Sequence, residues 1–215
     1  MEFPIFPLDV VAFPGMTVPL YVFEGRYRRL VRHALDADEP RFVLVLGRPR
    51  RHDGEAPAMH RIGTLMHLVR VQEREDGTFE VVAHAGERVA VEPERHEDIP
   101  ESDGSTRPLY FTPYLPQPLE RSDPNEERVA AWDATDAFRR YAAAAFAFDA
   151  QRQIDANMPD DPLYQASLIC ANLRVPSASR QVLLEAPTLL ARFGLAQKLI
   201  DERLAAHAPP SDGDT

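Results

Sequence analysis

The 215-residue sequence has few of the residues on which disulfides, metal clusters and lysine chemistry depend. Cys170 is the only cysteine, which excludes a disulfide within the chain and fits a reducing compartment. No apolar run approaches the roughly 20 residues that span a bilayer, and the first residues lack the basic and apolar regions of a secretory signal. We therefore expect a cytoplasmic protein that does not contact membranes.

Nucleotide, zinc and serine–lysine chemistry also lack their usual motifs. There is no Gly-x-x-x-x-Gly-Lys-Ser/Thr phosphate loop, and Lys198, the only lysine among 24 basic residues, has no apparent serine partner. None of the seven histidines belongs to a His-Glu-x-x-His motif. His67 and His84 could face each other across a predicted hairpin, and we interpret them as neighbours on a sheet. We therefore predict no catalytic residue, no cofactor and no metal site.

Positive charge is in the minority. The formal net charge of −10 opposes the phosphate neutralisation on which non-specific nucleic-acid binding depends. The arginine-rich residues 48–52 are followed by Asp53 and Glu55, so we interpret this segment as a solvated loop rather than a phosphate site. The charge therefore argues against nucleic acid as a partner.

What the sequence does contain is a β pattern over residues 1–115. Two apolar runs flank Pro14-Gly15, a pair that favours a tight turn. The continuous apolar run at 42–46 is typical of a strand buried on both faces, and Asp76-Gly77 predicts a hairpin. We predict a loop at 93–106 and a last strand at 109–115, where a proline favours an edge or a bulge.

The composition then changes to helical spacing. Residues 116–122 predict a linker, and Asp123-Pro124-Asn125-Glu126 is a strong helix start. Further helices begin near Asp161-Pro162, near residues 177–179 and after Pro187. The resulting division is a β-rich subdomain at 1–115, a helical bundle at 123–207 and a disordered tail at 208–215. In the helix that begins at Asp123, the spacing predicts an inward apolar stripe that contains Val129, Trp132, Phe138, Tyr141, Ala145 and Phe148.

Several groups of residues occur in the order seen in a known family. They are Phe6-Pro7-Leu8, Phe13-Pro14-Gly15, Phe23-Glu24 followed by Arg26-Tyr27-Arg28, Gly63, Asp76-Gly77, Asp161-Pro162-Leu163, and Leu183-Leu184-Glu185-Ala186-Pro187 before Arg192. Together these groups resemble the substrate-binding domain at the N-terminus of the Lon proteases, over about residues 1–205. One departure is the family's Gly-x-x-Arg pattern, which Gly86 and Arg88 match only approximately because the glycine stands one residue too close.

The resemblance implies an α+β fold, with a β-rich PUA-like subdomain (the pseudouridine-synthase and archaeosine-transglycosylase type) followed by a helical bundle. It also implies a non-catalytic module that recognises unfolded or partly folded polypeptides through their exposed apolar segments. Protease or chaperone components are further candidate partners. Two alternatives stay open: RNA binding, which a basic face would favour, and an enzyme with an unrecognised small-molecule site, which a cleft with convergent polar groups would favour.

Aromatic residues provide the candidate contacts with polypeptide. They cluster at the beginning and at the end of the β-rich half. Because alternate residues of a strand face opposite sides of the sheet, some of these aromatic side chains must lie outside the core. Exposed apolar patches often mark binding sites. The predicted polypeptide-binding residues are Phe13, Tyr21, Tyr27 and Tyr114.

A charged group follows the second predicted strand, and it allows a structural and a functional interpretation. The helical spacing of Tyr27, Leu30, Val31, Ala34 and Leu35 predicts a helix after this strand. In the structural interpretation, Glu24 is favoured by the dipole of that helix, while Arg26, Arg28 and Arg29 occupy its solvent face. In the functional one, the same side chains form a peptide-recognition patch. We favour the structural interpretation.

Overall fold

The structure is a computed structural model that describes residues 1–47 and 59–207. The segment 48–52 and the tail at 208–215, both discussed above, lie outside the described residues. Within the described residues there are seven strands and six helices: β1 (Glu2–Leu8), β2 (Thr17–Val22), α1 (Gly25–Leu35), β3 (Arg41–Gly47), β4 (Met59–Glu73), β5 (Phe79–Ala90), β6 (Arg95–Pro100), β7 (Thr106–Pro113), α2 (Pro124–Ala145), α3 (Phe148–Ala156), α4 (Pro162–Asn172), α5 (Ser177–Glu185) and α6 (Leu189–His207). The α+β class predicted from the sequence is confirmed.

The chain divides into two compact units. The sheet unit contains Met1–Pro118 together with Val175–Glu185, and the helical unit contains Leu119–Arg174 and the chain from Ala186 onward. Helix α5 therefore belongs to the sheet unit, whereas the sequence predicts it in the helical bundle. The reason is a set of long-range hydrogen bonds: Gln181 Nε2 donates to the Ile62 carbonyl of β4, and Arg88 donates to the Leu184 carbonyl.

The seven strands form one sheet in the order β2-β5-β4-β3-β1-β7-β6. Strands β1 and β3 pair in parallel, and the other neighbouring strands pair antiparallel. Strand β3 is buried on both faces, as its apolar run predicts: Phe42 and Leu44 belong to one apolar cluster, while Val43 and Val45 belong to another. Alternate side chains of one central strand thus enter two different cores.

Two predictions about the end of the sheet are wrong. The polar residues Arg95–Pro100 form strand β6 rather than a loop, since they pair with β7 at the edge and bury too few side chains to leave an apolar pattern. Strand β7 lies between β1 and β6, so it is not an edge strand. Pro113 is tolerated there because it is the last residue of the strand, where it lies opposite Glu2.

The helical unit begins where its capping residues predict. The Asp123 side chain accepts hydrogen bonds from the backbone N–H groups of Asn125 and Glu126, at 2.9 and 3.3 Å, and a proline follows at the first helical position. Helix α4 starts in the same way, with the Asp161 side chain accepting from Leu163 N–H at 2.7 Å. Within residues 1–47 and 59–207, no helix is long and apolar enough to cross a membrane.

The predicted inward stripe of the helix that begins at Asp123 is wrong for Val129, Trp132 and Phe148, and it is confirmed for Phe138 and Tyr141. Trp132 is 70% exposed, and Val129 and the neighbouring Phe148 are exposed as well, whereas Tyr141 is buried. The buried face carries mainly small residues: Ala131, Ala134, Ala137, Phe138 and Ala142 lie inward with Tyr141. Alanines let neighbouring helices approach closely, so this face packs tightly although most of its side chains are small.

Candidate functional site

Two of the four predicted contact residues lie in the core of the sheet unit. Phe13 is 0% exposed and Tyr27 is 5% exposed. Tyr27 lies on the inner face of α1, with its ring 4.1 Å from that of Phe6, and the Arg26 guanidinium lies over the ring at 4.5 Å. Neither Phe13 nor Tyr27 can line a surface groove, which corrects the prediction for both.

Tyr21 and Phe23 form an exposed aromatic pair, which we call the Tyr21–Phe23 patch. Their side chains are 53% and 61% exposed, and the two rings stack at 6.0 Å with an interplanar angle of 29°. Tyr21 lies in β2, and Phe23 follows the last residue of that strand. Phe23 is absent from the four predicted residues, although its spacing of two from Tyr21 places both on one face of a strand.

The patch lies on an edge strand of the sheet. Among the described residues β2 pairs with β5 alone. Gly15 N–H donates to the Ala85 carbonyl, and Ala85 N–H donates to the Met16 carbonyl, both at 2.8 Å. Because bonded positions alternate along an antiparallel pair, the backbone groups that point away from β5 are those of Thr17, Pro19 and Tyr21. Proline at the middle position fits an outward edge, where no ladder hydrogen bond is lost.

The guanidinium of Arg74 lies over the Tyr21 ring. Its guanidinium carbon lies 5.6 Å from the ring centroid, within cation–π range. The same guanidinium forms an ion pair with Glu80, which lies opposite Tyr21 in the β2–β5 pairing. The hydrogen bond with Glu80 raises the pKa of Arg74 above its ordinary value, so this side chain stays charged. The exposed aromatic pair therefore has a fixed cationic neighbour.

Tyr114 is on the surface but belongs to a different part of the sheet. It is 39% exposed, its hydroxyl donates to the Glu87 carboxylate at 2.5 Å, and its N–H donates to the Met1 carbonyl. The hydrogen bond with Glu87 raises the pKa of the Tyr114 hydroxyl. Four strands separate β2 from β7 in the sheet order, so the structure does not bring Tyr114 together with Tyr21.

The histidine pair lies where the hairpin predicts it, with His67 opposite His84 across β4 and β5. Burial, together with Arg41 and His84, lowers the pKa of His67 below its ordinary value, so this ring is neutral at physiological pH. Within the part of the chain that the structure describes, no group of three or more His, Cys, Asp or Glu side chains could hold a metal ion. The pair is thus one of sheet neighbours.

Solved structures with a similar fold include two Lon N-terminal domains. The N-terminal domain of the Mycobacterium avium complex Lon protease superposes with a TM-score of 0.70 at 15% identity, covering 94% of this chain and 99% of that chain. The Lon N-terminal domain protein from Xanthomonas campestris gives a TM-score of 0.53 at 22% identity, covering 97% and 99%. Both chains share the fold.

Sequence relatives are Lon proteases as well. The Lon protease of Xanthomonas oryzae pv. oryzae is 27% identical over 203 residues, and that of Escherichia coli K12 is 24% identical over 186 residues. These alignments cover 94% and 86% of this chain but 23% of each relative, so the chain spans about a quarter of their length. The family model of the ATP-dependent protease La (LON) substrate-binding domain matches residues 2–202, and the chain therefore belongs to the Lon substrate-binding domain family.

Proposed function

We propose that this protein binds extended segments of unfolded or partly folded polypeptide at the Tyr21–Phe23 patch and does not cleave them. The observation that carries this proposal is the stacked, exposed aromatic pair beside the outward edge of β2. An aromatic pair offers apolar area for guest side chains, while a free strand edge offers backbone hydrogen bonds. Membership of a substrate-binding family supports the same function.

The mode of binding is the addition of a strand to β2. A guest segment would exchange hydrogen bonds with the outward groups of Thr17 and Tyr21, and every second guest side chain would face the aromatic pair. Pro19 has a carbonyl acceptor but no N–H donor, so one rung of this pairing lacks a hydrogen bond. Affinity in the micromolar range, about −8 kcal/mol, is what a short contact of this kind supplies after ordering costs.

The proposal extends to partners and location. Protease or chaperone components are the proposed partners. A module that binds unfolded polypeptide without cleaving it needs a further protein that cleaves or refolds the bound polypeptide. The cytoplasm is the proposed location, because a single buried cysteine fits a reducing compartment.

A direct binding measurement tests the proposal. Reduced and carboxymethylated α-lactalbumin, which stays unfolded, is labelled with fluorescein and titrated with the protein while its anisotropy is followed. The double variant Tyr21→Ala/Phe23→Ala should weaken binding by about tenfold or more, since it removes two exposed rings from the contact. Tyr164→Ala is the matched control, because Tyr164 is a comparably exposed tyrosine (45%) of the helical unit. Equal affinities for the double variant and the unmodified protein would reject the patch as the site.

A further inference from the structure

The residues that follow the Tyr21–Phe23 patch are bound by a hairpin from the other edge of the sheet. Strands β2 and β6 are the two outermost strands in the sheet order. Strands β6 and β7 pair as an antiparallel hairpin, and two of its side chains, Glu101 and Arg107, bind residues 24–26. The segment directly after Phe23 is therefore attached to an element that lies far from it in the sheet order.

Arg107 links this hairpin to Glu24. Its Nη1 donates to Glu24 Oε2 at 3.2 Å, and its Nη2 donates to the Asp103 carboxylate at 2.9 Å. Arg26 donates to the same Glu24 oxygen from Nε and Nη2, at 3.2 and 2.9 Å. The side chains of Glu24 and Arg107 are partly buried, so salt screens their attraction less than that of a fully exposed pair. Glu24 is thus bound by two guanidinium groups, one from helix α1 and one from the hairpin.

The backbone on either side of Phe23 is fixed. Before it, Val22 is buried and pairs with Phe79 of β5. After it, the Glu24 carbonyl accepts the first hydrogen bonds of helix α1, and the Glu101 carboxylate accepts from the next two backbone N–H groups. The hairpin therefore fixes the chain on one side of Phe23, while the sheet fixes it on the other.

The position of the Phe23 ring depends on this backbone. The side chain is 61% exposed, so packing against the rest of the sheet unit does little to hold it. Its stacking on the Tyr21 ring requires that the Phe23 backbone stays in place beside β2. If the contact between Glu24 and Arg107 is removed, the segment gains freedom. Ordering it again when a guest polypeptide binds then costs conformational entropy.

We propose that Arg107 is a positioning residue of the Tyr21–Phe23 patch: it binds Glu24 and thereby keeps Phe23 in the stacked position that a guest polypeptide contacts. This role rests on the proposed function, and Arg107 acts through Glu24 without contacting the guest. Each ring then depends on an arginine from a different part of the sheet unit, Tyr21 on Arg74 and Phe23 on Arg107. A patch that is ordered before binding binds more tightly, because less entropy is lost.

A double-mutant cycle tests this role with fluorescein-labelled, carboxymethylated α-lactalbumin as the guest. Arg107→Ala should weaken binding by about fivefold in the unmodified protein. In the Phe23→Ala background, which has no ring to position, Arg107→Ala should change the affinity by less than about twofold. A general structural effect of Arg107→Ala would instead weaken binding equally in both backgrounds. That result, or full affinity in Arg107→Ala, would overturn the proposal.

A second measurement does not depend on the guest. In protein with ¹³C-labelled phenylalanine and tyrosine, an NMR cross-relaxation signal between the stacked rings of Tyr21 and Phe23 should be seen, and Arg107→Ala should weaken or abolish it. Arg95→Ala is the matched control, because Arg95 belongs to the same hairpin and is similarly exposed but pairs with Glu2 and Glu97. That control should keep both the signal and the affinity. An unchanged signal in Arg107→Ala, or equal losses in Arg95→Ala, would overturn the role of Arg107.

Failure of the proposed function would give a different pattern from failure of this role alone. If Tyr21→Ala/Phe23→Ala binds the guest as the unmodified protein does, the patch is not the binding site and both are rejected. If Phe23→Ala weakens binding but Arg107→Ala does not, the patch remains the site and only the role of Arg107 is rejected.

Discussion

Glu101 caps helix α1 from 76 residues away through its contact with Gly25. The Glu101 carboxylate accepts hydrogen bonds from the backbone N–H groups of Gly25 and Arg26, at 2.5 and 3.0 Å. The residue at the N-cap position, Glu24, makes no capping bond with its side chain and instead pairs with Arg26 and Arg107. The negative charge at this helix N-terminus is therefore supplied by Glu101.

Gly25 is needed for this cap because the approach is so close. A Cβ atom at this position would lie 2.7 Å from the Pro100 carbonyl oxygen and 2.9 Å from the Glu101 carboxylate. Gly25→Ala should therefore lower the free energy of unfolding, by about 1–3 kcal/mol for an overpacked site. Gly194→Ala in α6 is the control: a Cβ there meets nothing within 4 Å, and alanine should stabilise the helix by about 0.5–1 kcal/mol. Urea unfolding of both variants gives the comparison, and stabilisation by Gly25→Ala would contradict the cap.

Local signals predicted local structure well in this chain. The helix starts at Asp123 and Asp161 are confirmed, and so is the Asp76-Gly77 turn, in which Gly77 has a φ of 77°. Each of these depends on residues within a few positions of one another. The same holds for β3, whose apolar run alone indicates burial on both faces.

What the sequence could not predict depends on contacts between distant residues. The Glu101 cap joins two positions that no local pattern connects. Helix α5 is separated from its neighbours in the sheet unit by more than fifty residues, so its amphipathic pattern indicates a helix but not where that helix packs. Arg26 is 9% exposed because it lies over the Tyr27 ring, although its position next to other arginines indicates a solvent face.

Only part of the candidate site could be predicted from the sequence, because the site also depends on contacts between distant residues. Strand alternation correctly implies that some aromatics must lie outside the core, and Tyr21 is one of them. It cannot show which ones: Tyr27 is buried because α1 packs against the sheet, and Phe13 is buried although it lies outside any strand. The position of β2 at the edge of the sheet follows from the order of all seven strands, which no local signal contains.

Arg88 connects strand β5 to two other backbone segments of the sheet unit, and its replacement should destabilise that unit. Its guanidinium donates to the carbonyls of Gln117, Leu184 and Pro118, at 2.6, 2.8 and 3.2 Å. Burial lowers the pKa of Arg88, because the charged guanidinium is partly removed from water. An ammonium group cannot reach three carbonyls in fork geometry, so Arg88→Lys should cost about 1.5–3 kcal/mol.

Chemical denaturation followed by circular dichroism measures the effect of Arg88→Lys. Arg140→Lys serves as the control, because Arg140 lies on the surface of α2 and pairs with Asp136 in an exposed i,i+4 arrangement. That control should change the free energy of unfolding by less than about 0.5 kcal/mol. Equal, small effects at both positions would show that the three carbonyl contacts do not stabilise the fold.

The two faces of α2 should respond very differently to truncation. Phe138 is 0% exposed, and Phe138→Ala should lower the free energy of unfolding by about 3–5 kcal/mol. Trp132→Ala, on the exposed face, should change it by less than about 1 kcal/mol. The native emission spectrum of the single tryptophan should also be that of a solvated indole. A large destabilisation by Trp132→Ala would contradict the assigned faces.

Glu127 should make the stability of the protein depend on acid pH. Its carboxylate accepts hydrogen bonds from the Arg121 guanidinium and from the Ser122 N–H, and the bond with Arg121 is the main cause of its lowered pKa. Because the folded pKa lies below the unfolded one, this pair contributes its full stability above the unfolded pKa. The contribution is lost as the pH falls through the folded pKa.

Urea unfolding as a function of pH measures this contribution. Glu127→Gln should be less stable than the unmodified protein near neutral pH, and the difference should shrink steadily as the pH is lowered below the ordinary pKa of glutamate, about 4.3. Asp133→Asn, at an exposed position of the same helix, is the control and should change the free energy of unfolding by less than about 0.5 kcal/mol at neutral pH. A difference between Glu127→Gln and the unmodified protein that stays constant down to low pH would contradict the role of the ion pair.

The response to salt should distinguish polypeptide binding from RNA binding. In the proposed function, a polypeptide would make apolar contacts with Tyr21 and Phe23, and the free energy of apolar burial changes little between low and moderate ionic strength. Binding to phosphates instead weakens steeply as salt rises, because counterions are released when the phosphates are neutralised. With a net charge of −10, the protein should bind an RNA oligomer weakly at any salt concentration.

Labelled, carboxymethylated α-lactalbumin and a labelled RNA of similar length are titrated in parallel at both ionic strengths. The affinity for the polypeptide should not weaken as the salt concentration rises, whereas three or more phosphate contacts would lower the RNA affinity by about tenfold or more between 50 and 200 mM salt. RNA binding tighter than polypeptide binding at moderate salt would reject the proposed function in favour of a nucleic-acid partner.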